Sequence, residues 1–199
     1  WETQNQTWLE FNKALRAEAV LRDPGPVLER VKTRSHLSRG VTVGTMLQDE
    51  ALHFLRIGTF LERSDNTARL LDVKFQNLNN KPQRDYFGEP GEAQDKTLES
   101  DFYHWSAVLR SVSAFEIYRT VYRNVIRPDR VAELLMLRPD MPRSMAACMN
   151  EMMHNLQPVA NAQSGETLRR AGQLQSELRY GRIEDILATG LHAYLTQFL

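Results

Sequence analysis

The longest helical pattern of the chain, about residues 46–78, does most to limit how this sequence can fold. At 1.5 Å per residue such a helix is about 50 Å long, enough to span a whole domain. Its apolar residues lie on nearly every side of the axis, with Ile57 and Leu71 on one face and Phe54 and Val73 on others. Because a helix that is hydrophobic all round is typical of a buried position, we expect a largely buried central helix.

The rest of the sequence also favours helix over strand. Leucine occurs 25 times, against 17 times for valine and isoleucine together, and no Asn-Gly or Asp-Gly hairpin signal is present. Further helices are predicted at about 1–21, 26–38, 99–125, 128–137, 142–157, 165–180 and 182–198. At 199 residues, the chain is predicted to be a single all-α domain, 1–199, built as a helical bundle around the long helix.

Two features are predicted at the ends of the long helix. Thr45 and Gln48 have the spacing of a capping box, which predicts that the helix begins there. Residues 79–98 are rich in asparagine, proline, glycine and acidic residues, and they predict a long acidic loop after the helix. A loop of about 20 residues is longer than most connections, which indicates a functional or mobile segment.

Charge and cysteine content exclude several classes of protein. Lysine and arginine total 25, as do aspartate and glutamate, so the net charge is zero and a nucleic-acid partner is not expected. Cys148 is the single cysteine; it predicts buried packing, no disulfide framework and a reducing, cytoplasmic location. No run approaches 18 apolar residues, so no membrane-spanning helix is predicted.

Polar residues on the long helix fall into two stripes. The first contains Asp49, Arg56, Arg63, Thr67 and Lys74, and we interpret it as a narrow solvent-facing stripe.

The second stripe contains Glu62, Asp65, Asn66, Arg69 and Asp72. Asp65 and Arg69 have the i,i+4 spacing of an ion pair within a helix. On a buried helix these residues form either a salt-bridged network that fixes helix register or a polar pocket inside the bundle. Both interpretations stay open.

The segment from Thr45 to Val73, with Glu62-Arg63 near its centre, resembles the alpha-E domain family, an all-helical bacterial family named for its Glu-Arg motif. Trp105–Leu109, Glu116–Tyr118 and the Pro142-Arg143-Ser144 step are similar to later elements of that family. The resemblance covers most of the chain.

What the resemblance implies is a biochemical system, without an established catalytic mechanism for the domain. Alpha-E domains occur fused to, or encoded beside, circularly permuted ATP-grasp ligases and transglutaminase-like proteases. The implied role is that of an accessory or adaptor domain in ATP-dependent peptide or amide ligation, with these enzymes as partners and no cofactor. Members are usually longer and begin with another Glu-Arg helix, so this chain is expected to match the C-terminal two-thirds of a larger domain.

The predicted pocket or interface is formed on the Glu-Arg helix by Glu62, Arg63, Asp65, Asn66 and Arg69. Three residues outside the long helix complete it. The hydroxyl of Tyr118 is a candidate donor to a buried carboxylate. Arg143 is a candidate to share the pocket of Glu62, or else it belongs, with Ser144, to the ordinary start of a helix.

Two Glu-x-x-His pairs support a different class of function. Glu50 with His53 and Glu151 with His154 have the spacing that di-iron helical bundles use for their ligands. A metal-dependent enzyme using iron or manganese is therefore the alternative hypothesis. A structural module that forms homo-oligomers is a third, and the sequence does not separate it from the adaptor.

Overall fold

The computed structural model describes residues 1–16, 19–79, 95–123 and 125–199. All regular secondary structure in these ranges is helical, which confirms the all-α prediction. The helices are α1 Glu2–Leu15, α2 Ala19–Arg22, α3 Gly25–Thr45, α4 Glu50–Asn79, α5 Asp95–Ser111, α6 Phe115–Tyr122, α7 Pro128–Met136, α8 Met145–Leu156, α9 Gly165–Tyr180, α10 Ile183–Thr189 and α11 Leu191–Phe198.

The chain divides into two compact units, Trp1–Leu52 and His53–Leu199. In the first unit, α1 and α3 form an antiparallel pair joined by polar contacts. The Gln4 amide donates to the Ser38 hydroxyl at 2.5 Å, and the Arg34 guanidinium binds the carboxylate of Glu10. Neither α1 nor α3 contains a buried residue. The expectation of a single domain stays a prediction.

The second unit has a continuous hydrophobic core, to which α4, α5, α7, α8 and the C-terminal helices contribute. Its largest fully buried side chains include Trp105, Leu109, Leu134, Leu135, Met136 and Met145. Phe75 of α4 packs on Trp105 of α5, with ring centroids 4.9 Å apart. At the C-terminal end, Nδ1 of His192 lies 2.6 Å from Oδ1 of Asp72 and links α11 to α4.

The two ends of the long helix differ from the prediction. Thr45 is the last residue of α3, and α4 begins at Glu50. The capping side chain is that of Asp49, whose Oδ1 accepts the backbone N–H of Leu52 at 3.1 Å. Aspartate caps a helix as well as threonine does, so the capping-box spacing alone predicted Thr45 as the N-cap in place of Asp49. Of the predicted 79–98 loop, residues 80–94 lie outside the described residues, and residues 95–98 belong to α5.

Two predicted helices are each broken into two. The predicted helix 99–125 stops at Ser111, and Ser113 has φ 56°. The N–H of Ala114 then bonds the Leu109 carbonyl at 2.7 Å, which is the Schellman pattern of a helix end. The second break is at Gly190, where φ is 105°, a conformation that only glycine adopts readily.

The structure does not confirm that the long helix is central and buried on every side. Only Ser64, Thr67, Ala68 and Leu71 are buried between His53 and Phe75. Phe54 and Leu61 are more than half exposed. Apolar residues on several sides of the helix were correctly read from the sequence, but sequence does not state which sides neighbouring helices cover.

Candidate functional site

Over the part of α4 between His53 and Phe75, the exposed residues all lie on one side of the helix. They are Phe54, Leu55, Gly58, Leu61, Glu62, Asn66, Arg69 and Val73, which we call the α4 face. At 3.6 residues per turn these positions fall within an arc of about 140°. The face is therefore continuous, with four large apolar side chains among its polar ones.

The opposite side of α4 docks on the turn that precedes α8. Nη1 of Arg63 donates to the carbonyl of Pro142 at 3.2 Å, and the hydroxyl of Thr67 lies 3.0 Å from the carbonyl of Arg143. Thr67 is 2% exposed. The interpretation of the stripe containing Arg63 and Thr67 as solvent-facing was wrong, because the Thr67 hydroxyl and the Arg63 guanidinium bond the carbonyls of the turn before α8.

Glu62 and Arg63 consequently have different surroundings. Neighbouring helix residues are separated by about 100° around the axis. Glu62 is exposed on the α4 face, whereas Arg63 is half-buried, reaches the α8 turn and has its guanidinium 5.1 Å from the Phe60 ring centroid. The motif thus combines a surface carboxylate with a packing arginine.

Asp65 and Arg69 form the ion pair that their spacing predicts, but not inside the bundle. Nε of Arg69 donates to Oδ2 of Asp65 at 2.8 Å, and the two side chains are 61% and 38% exposed, respectively. The hydrogen bond from Arg69 lowers the pKa of Asp65 below its usual value. Asn66 is also exposed. Glu62, Asp65 and Arg69 therefore do not form a buried network or an internal pocket.

Ser144 is the N-cap of α8. Its hydroxyl is fully buried, accepts the N–H of Ala147 at 3.0 Å and donates to the carbonyl of Arg138 at 2.5 Å. Arg143 is half-buried and presents its backbone carbonyl to Thr67. The ordinary helix-start interpretation of these two residues describes these contacts.

Tyr118 is fully buried, but its hydroxyl holds backbone groups and not a carboxylate. It accepts the N–H of Arg127 at 3.0 Å and lies 3.3 Å from the carbonyl of Val125. The neighbouring Tyr122 has the expected type of partner, because its hydroxyl donates to Oε2 of Glu133 at 2.9 Å. Burial is the main reason that the pKa of each tyrosine is raised.

A groove of about 560 Å³ lies between α4, α8, α9 and the end of α11, and we call it the α4–α9 groove. Its walls are mainly apolar and include Leu61, Met149, Met152, Leu174 and Phe198. Its volume is in the range of small-ligand pockets, about 300–1,000 Å³. This groove was not predicted from the sequence, because its α4 residues lie more than 80 positions before those of α8, α9 and α11.

The polar groups of the groove come from α4 and α9. They are Ser64, Asp65, Glu166, Thr167 and Arg170. Glu166 accepts hydrogen bonds from Nε and Nη2 of Arg169 and from Nε of Arg170, at 2.7 to 2.9 Å. These bonds, that of Arg169 first, lower the pKa of Glu166 to about 2. Glu166 and Arg170 were not singled out from the sequence, although their i,i+4 spacing was a usable signal.

The four residues of the two Glu-x-x-His pairs differ in their surroundings. Nδ1 of His53 lies 3.0 Å from the amide oxygen of Asn155, which can only accept, so this nitrogen carries a proton. Glu50, Glu151 and His154 are exposed. Within the ranges that the structure describes, no group of three or more His, Cys, Asp or Glu residues could hold a metal ion.

Cys148 is buried in α8, as expected of a packing residue. Burial raises the pKa of its thiol to about 11, although Arg63 and Arg143 act in the opposite direction. A thiol with this pKa is almost fully protonated at neutral pH, which is unlike the low-pKa thiol of a cysteine nucleophile.

A model of the Alpha-E family, described as a predicted alpha-helical domain with a conserved ER motif, matches residues 1–199. The chain belongs to the Alpha-E family. The match covers the whole chain, so the expectation that the chain is the C-terminal two-thirds of an Alpha-E domain is not supported. Comparisons with curated proteins and with solved structures gave no significant match.

This Alpha-E chain has a second Glu-Arg dipeptide, which precedes the one in α4. Glu29 and Arg30 lie in α3 of the first unit, and both side chains are exposed. They oppose the expectation that a preceding Glu-Arg helix is missing. Among the described residues, no helix combines the length and the apolar character that crossing a membrane requires.

Proposed function

We propose that this Alpha-E chain is a cytoplasmic accessory domain of an ATP-dependent peptide- or amide-ligation system, and that its α4 face binds the ATP-grasp ligase. The family resemblance implies the ligation system, and the structure supplies the exposed surface, the α4 face. The observation that carries it is the position of Glu62 within a continuous exposed face, while Arg63 is engaged on the other side of the same helix.

The composition of the α4 face supports a protein-binding role. Phe54, Leu61 and Val73 are 59%, 55% and 54% exposed, respectively. Large apolar side chains surrounded by polar ones are typical of the centre and rim of a protein interface. A Cβ added at Gly58 would meet nothing within 4 Å, so a partner backbone has room to approach the middle of the face.

The proposal assigns no bond-making step to the chain itself. The carboxylate of Glu62 is on the surface, and that of Asp65 already accepts a hydrogen bond from Arg69. A general acid or base functions best with a pKa near the working pH, whereas the pKa of Asp65 is lowered. These features support binding by the helix and leave the ATP chemistry to the ligase.

The first experiment is affinity purification of the tagged full-length protein from its native lysate, read by mass spectrometry. We expect a near-stoichiometric ATP-grasp ligase, with a transglutaminase-like protease as the other partner consistent with the proposal. The purified pair is then titrated with protein variants. Glu62→Ala and Val73→Asp should each weaken binding at least about 10-fold, as central interface residues do.

Two matched variants control for surface charge and for hydrophobicity. Glu116→Ala removes another exposed glutamate, on α6, and Val125→Asp changes another exposed valine. Both should leave the affinity within about 2-fold of wild type, and helical content should be unchanged in all four variants. Equal losses from Val73→Asp and Val125→Asp would reject the α4 face. A protein that purifies alone as a homo-oligomer would instead favour the structural module.

A further inference from the structure

We infer that the α4–α9 groove binds the C-terminal end of a peptide with apolar side chains, with Arg170 holding the terminal carboxylate. This binding site goes beyond the proposed function and does not depend on it, because the groove and the α4 face are tested with different ligands. Three features of the groove support this binding: its apolar walls, an excess of guanidinium donors over carboxylate acceptors, and the buried hydroxyl of Ser64.

The walls of the groove select an apolar ligand. Leu61 of α4, Met149 and Met152 of α8, and Leu174 of α9 face a volume of about 560 Å³. Methionine side chains are flexible and polarizable, so they adapt to apolar groups of different shape. Such a wall suits the varied side chains of a peptide better than a single rigid ligand.

The charged groups at the groove favour a carboxylate. Glu166 already accepts three hydrogen bonds from Arg169 and Arg170, and Asp65 accepts one from Arg69. The two carboxylates are therefore matched by three guanidinium groups. A guanidinium has five N–H donors, and Arg170 uses one of them within the described residues. The remaining donors are suited to a ligand carboxylate, which arginine binds in a bidentate manner.

Ser64 distinguishes a peptide from a simple fatty acid. It is 2% exposed, lines the groove, and its hydroxyl has no hydrogen-bond partner among the described residues. A buried hydroxyl without a partner is costly, and most such groups in proteins are satisfied. In the proposed complex the walls adjust so that a peptide amide reaches this hydroxyl, whereas an alkyl chain has no group that bonds it.

The test is isothermal titration calorimetry of the full-length protein with the tripeptide Leu-Ala-Phe, its C-terminal amide, and octanoate. The free peptide should bind at least about 10-fold more tightly than the amide, because the amide loses the charge-assisted contact. Arg170→Gln should remove this preference by weakening the free peptide alone. Arg169→Gln is the matched control, since Arg169 binds the same glutamate but does not line the groove.

The Ser64→Ala variant is the second test, and it examines the contact with the peptide amide. It should weaken both peptides about 5-fold and leave the midpoint of thermal unfolding unchanged or raised, because it removes a buried polar group without a partner. A purely structural serine would instead lower the midpoint and leave the affinity unchanged.

Three outcomes would overturn the assignment. Octanoate binding as tightly as the peptide would make the ligand a simple apolar acid. Equal effects of Arg169→Gln and Arg170→Gln would show that the preference for the free peptide over its amide comes from net charge alone. Absence of measurable heat with any ligand at millimolar concentration, confirmed by an unchanged unfolding midpoint, would leave no peptide site. None of these outcomes affects ligase binding by the α4 face.

Discussion

The hydroxyl of Thr67 lies 3.0 Å from the carbonyl oxygen of Arg143 and equally far from that of Arg63, one turn earlier in its own helix. Its single proton is shared between an acceptor within α4 and one in the turn before α8. This buried contact ties the Glu-Arg helix to α8 at one point, and Arg63 adds a second bond to Pro142 beside it.

We expect Thr67→Val to destabilise the protein by about 1–3 kcal/mol, because it keeps the shape of the side chain but leaves the part-buried Arg143 carbonyl without its donor. Urea unfolding followed by circular dichroism measures the change. Thr59→Val is the control, since the Thr59 hydroxyl bonds only the Leu55 carbonyl within α4. A loss as large in Thr59→Val would show that the bond to α8 has no special role.

Ser144→Ala should lower the free energy of unfolding by about 0.5–2 kcal/mol, the range measured for the loss of an N-cap. The substitution removes the acceptor for the N–H of Ala147 and the donor to the Arg138 carbonyl. Ser144→Asp keeps an acceptor for Ala147 but adds a charge at a fully buried position, so it should be the worse of the two. Thermal and urea unfolding of both variants test this order.

Two glycine substitutions should act in opposite directions. Gly58→Ala in α4 meets nothing within 4 Å and should raise stability by up to about 1 kcal/mol, the helix propensity difference between the two residues. Gly190→Ala must adopt φ near 105° and should cost about 1–3 kcal/mol. The difference between the two unfolding midpoints is the measurement, and equal shifts would contradict the break between α10 and α11.

Cys148 should react slowly with thiol reagents in the native protein. Burial raises the thiol pKa to about 11 from its ordinary value of 9.0, so at pH 9 about 1% is thiolate, against about half in the unfolded chain. The folded state holds this proton more tightly, so the contribution to stability is complete below pH 9 and is lost as the pH rises toward 11. Reaction with iodoacetamide at pH 9 should be at least about 50-fold slower than in urea.

A loss of stability above pH 9 that persists in Cys148→Ala would come from other groups. Tyr118 and Tyr122 also have pKa values raised by burial and titrate in the alkaline range. The difference between the two proteins across pH 8–11 therefore isolates the thiol. Rapid native-state alkylation would contradict a buried Cys148.

Local chemistry made part of the fold predictable from sequence. The helix Gly165–Tyr180 was predicted with its bounds, because Gly165 opens it and Gly181 follows its last residue. The break at Ser113 was not, because a serine with positive φ has no pattern of its own and is held by the hydrogen bond from Ala114 to Leu109.

The site was less predictable, because it depends on which side of α4 its neighbours cover. The stripe containing Thr67 and the stripe containing Glu62 are both polar, and the sequence alone assigned the wrong one to solvent. Residues of the groove such as Met152 and Leu174 look like ordinary core residues. They line a cavity only because α8 and α9 pack side by side, and no local sequence pattern predicts that packing.

The contacts of Arg63 and Thr67 with the α8 turn go to the carbonyls of Pro142 and Arg143, which every amino acid possesses. Substitutions at these two turn positions can therefore accumulate without breaking the junction, provided that the backbone path is kept. Substitutions of Arg63 or Thr67 cannot, since their side chains are the donors. The α4–α8 junction is thus asymmetric: it depends on the side-chain identity of Arg63 and Thr67, but only on the backbone of the turn that they bond.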